Sequence, residues 1–190
     1  MTARLKQLGF RKIGNYYNRP VEDNLVQVVG FQSGQAVSIL HGHFTVNLGV
    51  YVPPIAELEG NSAKGRYVTD AHCEIRSRLS DVANLGKDKW WPLDASTPAT
   101  GVLVANALET FGVPFLNRYS SYAAIRQRFD EDGALPFHNP ARSALATAII
   151  CCAAGAIADA RNHFERARST PSGNQRFGSY VDEIQAKCGL

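Results

Sequence analysis

The stretch His43-Phe44-Thr45-Val46-Asn47-Leu48-Gly49-Val50-Tyr51-Val52 decides the fold. Phe44, Val46, Leu48, Val50 and Val52 alternate with His43, Thr45, Asn47, Gly49 and Tyr51, and a period of two marks a strand with one buried face. Working outward, Leu25 to Gln32 is rich in β-branched residues and apolar on both faces. That places it centrally in the same sheet, with Ile13 to Arg19 pairing before it. Cys73 to Leu79 alternates again, with Cys73, Ile75 and Leu79 on one side and His72, Glu74, Arg76 and Arg78 on the other. Ser33 to Gly42 reads as a connection, and Pro53 to Gly65, with its prolines and glycines, as a surface loop.

The period then changes. Thr97-Pro98 is a helix start, Val104, Ala107, Leu108 and Phe111 recur at helical spacing, and Gly112 with Pro114 reads as the stop. A second helix carries Tyr122, Ile125 and Phe129 and ends near Gly133. A third starts at Asn139-Pro140 and buries Ala141, Ala144, Leu145, Ala148, Ile149 and Cys152. Gly155 then turns the chain into a helix bearing Ile157, Ala160, Phe164 and Ala167, which predicts a helical hairpin. After a loop over Ser169 to Gly178, Val181, Ile184 and Cys188 mark a last helix. Together with a short helix expected at Thr2 to Leu8, the pattern is that of an α+β protein. Its mainly antiparallel sheet lies within residues 1–95, its helical part in 96–190, and both are expected in one domain.

Composition narrows the function. The 190 residues carry a formal charge of +3 with acidic and basic residues interspersed, so no stripe exists to neutralise nucleic-acid phosphates. The N-terminal residues lack the apolar segment of a signal peptide, and the run from Ala144 to Ala160 is shorter than the roughly 20 residues that span a bilayer. Cys73, Cys151, Cys152 and Cys188 fit neither a CxxC redox site nor a zinc knuckle and read as free thiols in a reducing cytoplasm. No partner membrane and no cofactor is expected.

Leu8-Gly-Phe-Arg-Lys12, Val28-Val-Gly-Phe-Gln32, Phe44-Thr-Val-Asn-Leu-Gly-Val50, Cys73-Glu-Ile-Arg-Ser-Arg-Leu79 and Asp88-Lys-Trp-Trp91 together resemble the bacterial domain-of-unknown-function family 4304. The resemblance spans about the first two thirds of the chain. It implies the fold and a bacterial cytoplasmic setting, and it supplies no catalytic residues.

Among candidate site residues, strand parity puts Asn47 on the polar face of its strand and Glu74, Arg76 and Arg78 on that of theirs. Two guanidinium groups at i and i+2 form a fork suited to a carboxylate or phosphate, unless Glu74 pairs with them on a solvated face. Lys87 lies in the nearby loop and is expected outside this site. Of Trp90 and Trp91, one is expected to close the core and the other to face a ligand or partner. The reading is a noncatalytic binding module for a small anionic ligand or a protein partner, an immunity-like toxin-binding protein being one version. The competing class is a metal-dependent enzyme on His41, His43, His72 and Glu74. His138 is expected to play a local role at a helix start, and His163 to lie on the surface.

Overall fold

The computed structural model describes residues 2–35, 39–63, 65, 67–94, 97–171 and 176–190. Parts of three expected connections (36–38, 64 and 172–175) lie outside the described residues. Helix α1 (Thr2–Gln7) ends at Gly9, whose φ of 86° suits glycine, and leads into β1 (Arg11–Ile13), β2 (Tyr16–Pro20), β3 (Val26–Ser33) and β4 (His43–Tyr51). Helix α2 (Pro53–Leu58), β5 (Ile75–Arg78), α3 (Leu79–Val82) and β6 (Trp91–Pro92) follow. The later helices are α4 (Thr97–Ala107), α5 (Val113–Asn117), α6 (Tyr122–Asp132), α7 (Pro140–Ala153), α8 (Ile157–Ser169) and α9 (Phe177–Lys187).

The six strands form one antiparallel sheet in the order β1-β2-β3-β4-β5, and the α+β class read from the sequence holds. β3 lines one edge of β4 from Val26 opposite Tyr51 to Ser33 opposite Phe44. Along the other edge β5 sets Arg78 opposite Asn47 and Arg76 opposite Gly49, and β6 sets Trp91 opposite Phe44.

Three local expectations are corrected. Ile13 to Arg19 is not one strand: Gly14 at φ 58° folds it into a hairpin between β1 and β2. Pro53 and Pro54 do not hold a loop open but occupy the first turn of α2, where their missing N–H groups cost nothing, and α2 buries Ile55 and Ala56. Gly112 and Pro114 do not stop a helix. Residues Leu108–Gly112 form a widened π turn that joins α4 to α5, so Pro98–Asn117 runs as one 20-residue helix. Its mean hydropathy of 1.3 makes it long and apolar enough, by those two measures, to cross a bilayer. Here it lies over the sheet. A Cβ at Gly112 would come within 3.1 Å of Leu79 and 3.5 Å of Leu48, so this glycine serves close helix–sheet approach.

The expected apolar face of β4 is buried: Val46, Leu48 and Val50 join Ile75 and Leu79 in a core that continues through Val104, Leu108 and Leu116 to Ile125, Phe129, Leu145, Phe164 and Ile184. α7 and α8 form the expected hairpin, turned by Gly155 at φ 72°. α6 starts under a Ser121 cap and stops at Gly133, and α7 starts under Asn139 with Pro140 in its first turn. The face of β4 expected to be solvated is also covered. Thr45 is fully buried, Asn47 is buried, and Tyr51 joins Val28, Ala56, Val68 and Cys73 in a second, small core. Cys73 therefore lies on the face opposite Ile75, and not beside it as its alternation suggests, because the strand β5 begins only at Ile75.

Candidate functional site

On that second face the sheet register collects polar side chains beyond the small core. Arg78 stands across from Asn47, and its Nη1 donates to Asn47 Oδ1 and, at 3.1 Å, to Gln32 Oε1. Asn47 Nδ2 donates to Gln32 at 3.1 Å and to Asp70 Oδ2. Asp70 comes from the single turn Asp70–His72, and the Tyr16 hydroxyl also hydrogen-bonds to it. Burial and the Asp70 carboxylate push Tyr16 up to about 12, so Tyr16 is a constant donor there. The ring reaches Asp70 by crossing Gly30, where any Cβ would lie 2.8 Å from it.

These groups form one wall of a cleft of about 690 Å³, closed on the other side by Lys87, Asp88, Pro136 and Phe137. The charges in it are not all matched. Asp88 pairs with Arg78 Nε at 3.0 Å, Asp70 is engaged by Asn47 and Tyr16, and Asp81 accepts the Asp88 backbone N–H at 3.1 Å. Arg76 and Lys87 have no carboxylate partner among the described residues. Arg76 lies flat against Phe137, 4.0 Å from the ring centroid, and its Nε is buried without a hydrogen-bond partner.

Glu74 does not join Arg76 and Arg78. It precedes the strand and turns instead to the helical part, where Arg142 Nη2 donates to Glu74 Oε2 at 2.8 Å and binds Glu59 Oε2 at 3.0 Å. Tyr180 donates to Glu59 at 2.9 Å, and His138 Nε2 donates to the Glu74 carbonyl at 2.7 Å. Glu74 Oε1 lies 2.8 Å from Arg142 Nη2 and 3.2 Å from His138 Nε2, without the alignment of a hydrogen bond. Burial, against the pull of Glu74, holds His138 below its ordinary value, so it is a neutral link from the entrance of α7 to the residue before β5, a structural role that reaches beyond the local one expected. Burial opposes the charge of Arg142, but Glu74 and Glu59 outweigh it and raise Arg142 above its ordinary value.

The four candidate metal ligands are not brought together. His41 is exposed in a turn, His43 Nδ1 meets the His41 carbonyl at 3.1 Å, and His72 Nδ1 caps its own turn at Thr69. Glu74 is held by Arg142, and no group of three metal-binding side chains occurs among the described residues. His163 is half-buried against Phe129 rather than on the surface.

A family model described as Domain of unknown function (DUF4304) matches residues 1–118. The chain belongs to this family. No curated protein and no solved structure matches it. The DUF4304 match holds the cleft residues from Gln32 to Asp88, whereas Pro136 and Phe137 come from the helical part beyond it.

Of the candidates named from sequence, the DUF4304 fold brings Asn47, Arg76 and Arg78 into one cleft and sends Glu74 elsewhere. Trp91 is buried against Phe44, with ring centroids 5.7 Å apart, while half-buried Trp90 lies 5.7 Å from the Arg78 guanidinium. Lys87, expected outside, lines the cleft. Gln32, Asp70, Asp88 and Phe137 were not legible. Phe137 lies in the turn just before the capped helix α7 and is 69% exposed at φ 75°.

Proposed function

We propose that this chain is a noncatalytic binding module for a small anionic ligand, held in the cleft between β3–β5 and the turn at Phe137. The observation that carries the reading is Arg76: a permanent cation on the cleft wall, stacked on an aromatic ring, with a buried Nε that lacks a partner among the described residues. A buried donor left unpaired costs about 1–3 kcal/mol, and an anion that accepts from it removes that cost. Lys87 adds a second cation without an ion pair among the described residues, while Asn47, Gln32 and Asp88 fix Arg78 in place. Of two other clefts on the sheet, one of about 310 Å³ beside Tyr17, Phe31 and Phe44 is aromatic with Lys12 as its cation, and one of about 430 Å³ beside Asn18, Tyr51 and Val68 carries Arg11; neither is lined by a buried donor without a partner among the described residues.

The test is a thermal-shift series with inorganic phosphate, sulfate, citrate and benzoate at constant ionic strength. At least one anion is expected to raise the melting temperature of the wild type in a saturable way and to leave Arg76→Ala unchanged. A series in which no anion acts, or in which Arg76→Ala responds like the wild type, would contradict the reading.

A further inference from the structure

Of the four thiols, Cys73 and Cys151 are buried, and burial raises the pKa of both. Cys152, one residue from the end of α7, and Cys188, the first residue past α9, differ from them. Both are partly exposed, their side chains interact, and they line the same cleft of about 340 Å³ together with Lys187. We propose that Cys152 and Cys188 are a redox modification site, a dithiol that peroxide converts to a disulfide clasping α9 onto α7. This site is separate from the anion cleft.

Adjacent helix positions point apart, which is why Cys151 enters the core while Cys152 faces α9. Burial, and then the neighbouring Cys188 side chain, push the Cys152 thiol up to about 12. Two neighbouring thiols in one cleft supply one sulfur to attack and one to resolve. The Cys188 thiolate attacks a peroxide oxygen, an S–O bond forms, the O–O bond breaks, and the departing hydroxide takes a proton to leave as water. The Cys152 sulfur then attacks the sulfenic sulfur and passes its proton to the leaving hydroxyl. The S–S bond forms, the S–O bond breaks and a second water leaves. Two thiols and one peroxide give one disulfide and two waters. The closed loop spans α8 and α9, and such a cross-link removes freedom from the unfolded and partly opened chain.

The experiment treats the full chain with a small excess of hydrogen peroxide, blocks free thiols under denaturing conditions, and digests with trypsin. Accessible thiols should fall from four to two, and Cys188-Gly-Leu190 should appear linked to the Ser143–Arg161 peptide. The link should be reversed by dithiothreitol and be absent from Cys152→Ser and Cys188→Ser. Amide exchange across α9 should slow on oxidation. Fragmentation of the wild-type cross-linked peptide separates Cys151 from Cys152 without a variant in the core. Four thiols remaining, irreversible sulfinic acid at Cys188 without a cross-link, a link through Cys151, or a link only between two chains would each overturn the proposal.

Discussion

Glu74 and Arg76 stand two residues apart where the chain enters β5, yet one ends in a closed cluster of charges and the other in an open cleft. Glu74 is buried, and Arg142 and His138 close over it from the helical part while Glu59 and Tyr180 complete the cluster. Arg76 faces Phe137 and an unfilled volume, with its Nε unpaired. The difference teaches where each charge acts. In the cluster every cation has its anions within the molecule, so the cluster joins the sheet to the helices. In the cleft the formal charges balance, but among the described residues Arg76 and Lys87 make no ion pair and the buried Arg76 Nε has no acceptor, so its partner is sought outside.

That contrast can be broken by variants on either side of it. The largest effect is expected from Arg142→Ala, which leaves Glu59 and Glu74 facing each other without their cation: a loss of about 3–5 kcal/mol in urea unfolding. A loss below about 1 kcal/mol would show that the cluster does not hold the two parts together. Gly49→Ala is next, because its Cβ would lie 2.7 Å from Cys73 Sγ and 2.8 Å from Cys73 Cβ, in the small core between cluster and cleft. Overpacking of this kind costs about 1–3 kcal/mol, and a neutral result would mean that Cys73 has room to move.

A smaller effect comes from His138. Its folded pKa lies below the ordinary value because burial opposes its charge, so the folded chain resists a proton that the unfolded chain accepts. The stability it contributes is present above the unfolded pKa of about 6.5 and is lost as pH falls through the folded pKa. Urea midpoints measured downward from neutral pH should therefore fall in that window, and His138→Gln should flatten the slope. The smallest change in stability belongs to Arg76→Ala, less than about 1 kcal/mol, since it loses one aromatic contact and an unpaired donor.

Much of this was legible in the sequence wherever the backbone is extended. Parity from Asn47, and from Arg76 to Arg78, placed those side chains correctly because β4 and β5 pair over that span. The same argument failed at His72, Cys73 and Glu74, because His72 ends the single turn Asp70–His72 and the two residues after it precede β5, so they do not share its alternation. The adjacent tryptophans separated as expected, Trp91 into the core and Trp90 toward Arg78. Gly112 and Pro114 misled because composition alone does not distinguish a helix stop from a π turn that brings a helix close to a sheet. Asp70 and Phe137 reach the cleft through tertiary packing, and no local pattern marks them.

The most direct test is titration calorimetry with each of phosphate, sulfate, citrate and benzoate on the wild type and, with any that binds, on Arg76→Ala and, as a control on an exposed helical position, Arg161→Ala. The account predicts saturable binding to the wild type and to Arg161→Ala, with affinity at least tenfold weaker in Arg76→Ala, about 1.4 kcal/mol. Equal affinity in all three, or no saturable heat in any, would contradict it.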